Sequence, residues 1–286
     1  MKKLIILAIV ALTSTTAFAE GWGPVWDWEA LGIEGELHGT VEVGLQSQYI
    51  WRGFEVYGTR SALQASVDLD LFQTGFGVSV TAHRANGGPM ADPFERWDYN
   101  LYYQNALFQG EAYAVNYRLG WVYYNYPDQS CKDFDLQELH AIFSLPNALP
   151  IKGLVPTYVL VKLWPAYSNS FVGARSPFGG SASGLAHIFM LDYTWNVPGF
   201  LPEVPEQPIK FHGEVVYNDG VGPGGQFMDN DWSNAVLGVS TDFDLGYGII
   251  ITPASYYQRT MEPTLQALNG GDEDEFWATV SLKYKF

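Results

Sequence analysis

The chain has 286 residues and a formal net charge of −16 at pH 7, with hydrophobic residues at 47%, aromatics at 16% and charged residues at 16%. So acidic a balance excludes nucleic acid, or a bare anionic surface, as a simple electrostatic partner. Its one cysteine, Cys131, excludes an intramolecular disulfide framework, and a soluble surface would carry about a quarter charged residues, so the 10 Trp, 18 Tyr and 17 Phe require a second apolar environment.

The opening stretch MKKLIILAIVALTSTTAFAE sets two lysines before an apolar run from Leu4 to Leu12 and an Ala-Phe-Ala at 17–19. Basic, apolar and small-residue parts in that order predict a signal peptide over 1–19, cleaved after Ala19. Residues 20–36, with Trp22, Trp26 and Trp28, read as a periplasmic or interfacial lead-in. No later stretch has the roughly eighteen uninterrupted apolar residues of a membrane helix.

From Leu37 to Trp51 the odd positions are Leu37, Gly39, Val41, Val43, Leu45, Ser47, Tyr49 and Trp51, while Glu42, Gln46, Gln48 and Arg52 fall on the even row. Period two over this length predicts a strand with one apolar and one polar face. The pattern recurs over 63–71, 76–82, 97–107, 113–123, 139–145, 155–163, 185–195, 209–217, 235–243, 247–257 and 276–286. That predicts an all-β transmembrane antiparallel β-barrel of about 12 strands over 37–286, because such strands are long enough to cross a bilayer at a tilt. Leu45, Val67, Val80, Leu119, Val159, Leu237 and Ile251 are expected to face lipid. Tight connections (FQTG, FQGE, DLGYG) alternate with long loops rich in Gly, Pro, Asn and Asp, the outer-membrane arrangement with short turns in the periplasm. The last strand, EFWATVSLKYKF, ends on Phe286 and resembles the terminal strand by which barrel-assembly machinery recognises its clients.

In SQYIWRGF, the row assignment predicts Tyr49 and Trp51 on the lipid side at the outer interface, where aromatic rings form a girdle. Arg52 falls on the lumen register and Gly53 turns the chain into a loop. With its signal peptide and barrel pattern, the chain resembles an uncharacterised proteobacterial family of outer-membrane barrels whose first strand ends in Tyr-x-x-Arg-Gly, here Tyr49, Arg52 and Gly53. The resemblance implies the fold and brings no activity.

The polar rows nominate a lumen lined by Glu42, Arg52, Asp68, Asp70, Arg96, Asp98, Arg118, Glu138, His140, Lys162, Asp192, His212, Glu214 and Asp242. Charges of both signs would be costly there without water. Asp229, Asp231, Asp272, Glu273, Asp274 and Glu275 nominate an acidic outer rim, bridged to lipopolysaccharide through divalent cations. Glu138 with His140, and His212 with Glu214, are same-face pairs of the kind a metal or an acid–base couple uses, but a solvated lumen wall is the simpler account. FMDNDW and GGDEDE lack the spacing of a calcium loop. A lipid hydrolase would set a Ser two residues after its His on one strand face; after His83 that position is Ala85. No cofactor motif is present. The sequence therefore points to a narrow passive channel for small hydrophilic solutes with a cation preference, against a non-conducting structural or surface-interaction barrel with a filled lumen, and makes an outer-membrane lipid hydrolase a weaker third reading.

Overall fold

The computed structural model describes residues 36–88, 94–166, 183–200, 204–221, 228 and 230–286. The signal peptide at 1–19, nearly all of the lead-in at 20–36, and Asp229 lie outside them. Twelve strands form the wall: β1 (His38–Gln46), β4 (Ala62–Asp70), β5 (Phe76–Ala85), β6 (Arg96–Leu107), β7 (Val115–Asn125), β8 (Leu136–Ser144), β9 (Leu154–Pro165), β10 (Gly184–Pro198), β11 (Glu206–Asp219), β12 (Asp231–Thr241), β14 (Ile249–Thr260) and β15 (Asp274–Lys285). Each pairs antiparallel with its neighbour, β12 pairs with β14, and β15 closes on β1. Closure leaves no free sheet edge, which is what a strand protein in lipid requires, since an unpaired N–H or C=O has no water there. A short hairpin, β2 (Ile50–Trp51) with β3 (Phe54–Glu55), and a two-residue strand β13 (Phe243–Asp244) complete the sheet inventory among the described residues. Among the described residues the helices are short, α1 (Cys131–Phe134) and α2 (Pro263–Leu268), both in connections on the long-loop side.

The outer face is a belt of apolar side chains. Leu45, Leu101, Leu119, Leu237, Phe276 and Leu282 are all exposed, Leu237 at 64% and Phe276 at 67%. They belong to one row across the sheet: Leu45 pairs with Leu63 and Val280, and Leu237 with Tyr257. Cross-strand partners share a face, so register assigns the rest. Val67, Val80 and Ile251 join the belt through Val41, Val67 and Leu282, their respective partners.

Two face assignments made from alternation are reversed in β9. Val159 points inward and is 6% exposed, level with Ile142 and Ile188. Lys162 pairs with Leu139 and Leu185 and therefore lies on the outer face, outside the lumen. The reason is that β9 is apolar on both rows. Its inward row, Val159, Val161 and Leu163, packs into a core with Ala186, Ile188 and Val216.

The seam between β1 and β15 is finished by the last residue. Gly39 and Phe286 exchange both backbone hydrogen bonds at 3.0 Å, and the Phe286 ring lies so close over Gly39 that a Cβ there would sit 2.6 Å from it. Deleting Phe286 removes these bonds and uncovers the seam, so a lower yield of folded barrel is expected by heat-modifiable gel mobility. An unchanged yield would show that the seam holds without it.

Candidate functional site

The chain leaves the wall at Gln46, five residues earlier than the alternation predicts, and SQYIWRGF turns into the barrel mouth. Ile50 pairs with Glu55 and Trp51 with Phe54, leaving Arg52 and Gly53 as a two-residue connection with φ of 53° and 79°. Positive φ at both central positions is what a type I′ hairpin turn needs. Gly53 is required for a second reason: a Cβ would stand 2.7 Å from Leu265 and 2.9 Å from Asn234. Its carbonyl accepts from Gln258 Nε2 and Asn269 Nδ2, both at 2.9 Å, and the Glu55 N–H donates to Asn269 Oδ1 at 3.0 Å. Tyr49, Phe54 and Tyr57 are 7%, 2% and 1% exposed. Tyr49 and Trp51 thus belong to no lipid girdle. Their row continues that of Leu45, but the apolar surface they meet is inside: Trp51 packs against the inward core of β7–β11 and edge-on to Tyr124 at 5.6 Å.

Charge is matched closely where the hairpin seats. Arg52 Nη2 donates to both oxygens of Glu138 at 2.9 Å, Tyr124 Oη donates to Glu138 Oε2 at 2.8 Å, and His140 Nδ1 lies 3.4 Å from Oε1. Arg96 donates through Nε to Asp98 at 2.7 Å and through Nη2 to Tyr49 Oη at 2.6 Å, and its guanidinium lies 4.8 Å from the centre of the Trp51 ring. His83 Nε2 lies 2.9 Å from Asp98 Oδ2 and its ring stacks on Tyr49 at 4.8 Å. Gln48 Nε2 donates to Glu55 and to Glu275, so Glu275 is turned inward and buried, a departure from the acidic rim to which its sequence neighbours belong. Burial alone would lower the Arg52 guanidinium, but the Glu138 carboxylate overcomes this and holds it above its ordinary value. Burial raises the Glu55 carboxyl, and the Glu275 charge raises it further. Both effects follow from dry surroundings, where an unpaired charge is costly and a paired one is fixed.

Below the hairpin the interior is wet. A cavity of about 430 Å³ lies under Tyr49 and Ile50, between Glu42 and Lys283 on one side and Lys210 and Asp242 on the other, with Trp277 stacked on Tyr256 at 5.2 Å. Lys210 pairs with Asp242, Lys283 Nζ lies 3.6 Å from Glu42, and Asp192 Oδ1 lies 2.8 Å from His212, which is 3.8 Å from Glu214. Lys210 and Asp192 keep 43% and 49% of their side chains exposed, against 2% for Arg96 and 3% for Glu138 above. Asp68 accepts from Tyr102 Oη at 2.7 Å, Asp70 faces Gln104 at 3.5 Å, and Arg118 lies 4.0 Å over the Tyr102 ring. The interior therefore has a dry upper storey, filled by the hairpin, and an aqueous lower one.

Apart from Lys162, the nominated lumen residues turn inward, but they do not form one lining. Arg52, Arg96, Asp98, Glu138 and His140 are packing partners of the hairpin, so the Glu138–His140 pair is held dry rather than solvated. Of the rim, Asp231, Asp272, Glu273 and Asp274 are exposed, and Arg259 pairs with Glu273 and Asp274. Sequence reasoning passed over Lys210 and Lys283, although each has the parity of an assigned inward residue, His212 and Glu42's partner row respectively. It also passed over Gln48, Asn234, Gln258 and Asn269, whose neutral amides give no charge signal. His83 is buried and engaged by Asp98, and Ala85 stands two residues on where a lipid hydrolase would set its serine. Among the described residues no group of three or more His, Cys, Asp or Glu is placed to hold a metal ion.

No protein-family model matches the chain, and no curated protein does. Among solved structures the NanC porin is similar at a TM-score of 0.50 and 12% identity, covering 87% of this chain and 100% of that one. The fold is an outer-membrane β-barrel. The KdgM porin (TM-score 0.48, 9% identity, 86% of this chain and 99% of that one) and LpxR from Salmonella typhimurium (0.46, 11%, 86% and 100%) are also similar. At such identities what is shared is the barrel fold; the residues of the mouth and lumen must supply the rest.

Proposed function

We propose that the protein is a narrow passive channel for small hydrophilic solutes, with the hairpin at 48–57 setting its width and with a modest preference for cations. The observation that carries this reading is the aqueous lower lumen, lined by partly exposed charges of both signs, which reaches up to Tyr49 and Ile50 at the inward hairpin. A barrel whose lumen served only packing would not hold Glu42, Asp192, Lys210 and Asp242 in contact with water. Twelve strands fall between the eight that side chains can fill and the sixteen of a wide pore, so the inward hairpin becomes the width-setting element. The cation preference rests on the acidic excess and on Asp231, Asp272, Glu273 and Asp274 at the mouth, which concentrate counter-ions within about 10 Å at 0.1 M salt. The same rim supports contact with lipopolysaccharide through divalent cations, and the strand ending in Phe286 is the segment that barrel-assembly machinery would engage.

Planar-bilayer recordings on refolded protein test this. Reversal potentials under a salt gradient are expected to favour K⁺ over Cl⁻, less so as salt rises, and a triple Asp272→Asn, Glu273→Gln, Asp274→Asn protein is expected to lose part of that preference. Anion selectivity would refute the charge argument. Absence of any conductance from a barrel that is folded by gel mobility would instead favour a non-conducting interaction barrel.

A further inference from the structure

The outer wall carries one feature that a channel does not explain. Lys162 stands on the lipid-facing row, between Leu139 and Leu185, both exposed apolar residues. Two other cations on that row near the long-loop side, Arg84 and Arg259, are paired, to Glu95 at 3.2 Å and to Asp274 at 2.9 Å. The Lys162 side chain makes no ion pair or hydrogen bond among the described residues. β9 rises from the short-turn side at Leu154, so Lys162, eight residues on, lies about 20 Å up the barrel at about 3.3 Å per residue and the usual tilt. That is near the outer edge of an apolar band about 25 Å tall. Trp121, whose partner Leu139 is also the partner of Lys162, marks the same level.

Directly below Lys162 the wall is hollowed. Ala141 is the small member of a row whose neighbours are Leu119 and Leu160, and the resulting groove, about 580 Å³, runs down the outer face beneath Trp121 and Leu139 with Lys162 at its head. Its surface is almost wholly apolar, as an acyl chain needs, and its one cation sits where an acyl chain of the outer leaflet joins its headgroup. The acidic rim above can hold an anionic headgroup only through bridging divalent cations, whereas Lys162 offers it a direct positive charge beside the apolar groove.

We propose that this groove is a binding site for one lipopolysaccharide molecule, a lipid A phosphate resting on Lys162 Nζ and one acyl chain crossing Ala141. The site rests on the outer-membrane location and not on conduction, so it stands even if no current is found.

The test uses the full-length mature barrel refolded in a non-ionic detergent and titrated with purified deep-rough lipopolysaccharide, with one-to-one complexes counted by native mass spectrometry. Lys162→Gln is expected to weaken binding about tenfold or more, as loss of a charge-assisted contact does. It removes a charge from an apolar surface, so folding should not suffer. Ala141→Leu, which fills the groove and leaves the cation, should weaken binding as well, and dephosphorylated lipid A should bind the parent no better than intact lipid binds Lys162→Gln. Equal affinity of parent and Lys162→Gln overturns the site. So does equal binding of phosphatidylglycerol, which would make Lys162 a general anionic-lipid contact, and so does loss of binding on chelation of divalent cations with Lys162→Gln unaffected, which would move the contact to the acidic rim.

Discussion

Arg52→Ala is expected to give a barrel that still inserts and closes but conducts several-fold more per channel, with larger and more frequent current fluctuations. Arg52 is the tip of the inward hairpin, and both oxygens of Glu138 face its Nη2 at 2.9 Å. Removing it leaves Glu138, 2% exposed, with only Tyr124 and His140 for company. A buried carboxylate deprived of its cation typically costs about 3–5 kcal/mol, more than a hairpin held by a few amide hydrogen bonds can absorb. The wall is untouched, because no wall strand includes Arg52 and each strand keeps its ladder. The strain is relieved by the hairpin leaving its seat and water reaching Glu138. The double variant Arg52→Ala, Glu138→Gln should recover part of the parental conductance, since a neutral amide tolerates the dry site better. If Arg52→Ala records the same single-channel conductance as the parent while folding normally, the hairpin does not set the width of the path.

The second large effect concerns the wall. Leu237, 64% exposed in the middle of β12 and paired with Gly213 and Tyr257, is placed against the hydrocarbon. Leu237→Arg should cost about 2–4 kcal/mol of insertion free energy, enough to remove most folded protein from a marginal refolding mixture. Ser240→Arg, three residues along the same strand, is the paired control. Ser240 lines the aqueous cavity, so an arginine there meets water and the Asp242 carboxylate that already pairs with its cross-strand neighbour Lys210, and folding should be far less affected. Comparable folded fractions for the two, measured by heat-modifiable mobility in the same lipid, would show that the two rows have been assigned to the wrong solvents.

Most of the wall was legible from period two because one row meets hydrocarbon and the other water, a contrast in residue type that alternation records directly. It failed where the interior is itself apolar. In β9 the rows Val159–Val161–Leu163 and Tyr158–Leu160–Trp164 are equally apolar, and the single lysine in the outer row drew that row to the lumen. Only register, which makes Lys162 the partner of Leu139, decides the matter. SQYIWRGF failed for the same reason: Tyr49 and Trp51 continue the row of Leu45, and a packed interior accepts the same rings as a lipid interface. The local signal that could have separated them was Arg52-Gly53, which reads as a two-residue turn as well as a strand end. The seat of the hairpin was beyond reach, because Asn234, Gln258 and Asn269 are neutral residues whose relevance comes wholly from where closure brings them.

That seat also dictates an order of events. The hairpin belongs to the first connection of the chain, yet the amides that hold Gly53 lie 205 and 216 residues further on, in β14 and just after α2, and Glu275, which Gln48 meets, opens the final strand. The SQYIWRGF segment can meet β5 to β8 earlier, through His83, Arg96, Tyr124 and Glu138, but the amides that grip Gly53 reach it only when β14 and α2 are in place. Contacts so distant in sequence form late, since the chain entropy of the whole intervening loop must be lost before they return anything. Full seating of the hairpin therefore waits on the strands that seal the β1–β15 seam, and a barrel assembled only as far as β12 lacks the contacts that Gln258, Asn269 and Glu275 bring.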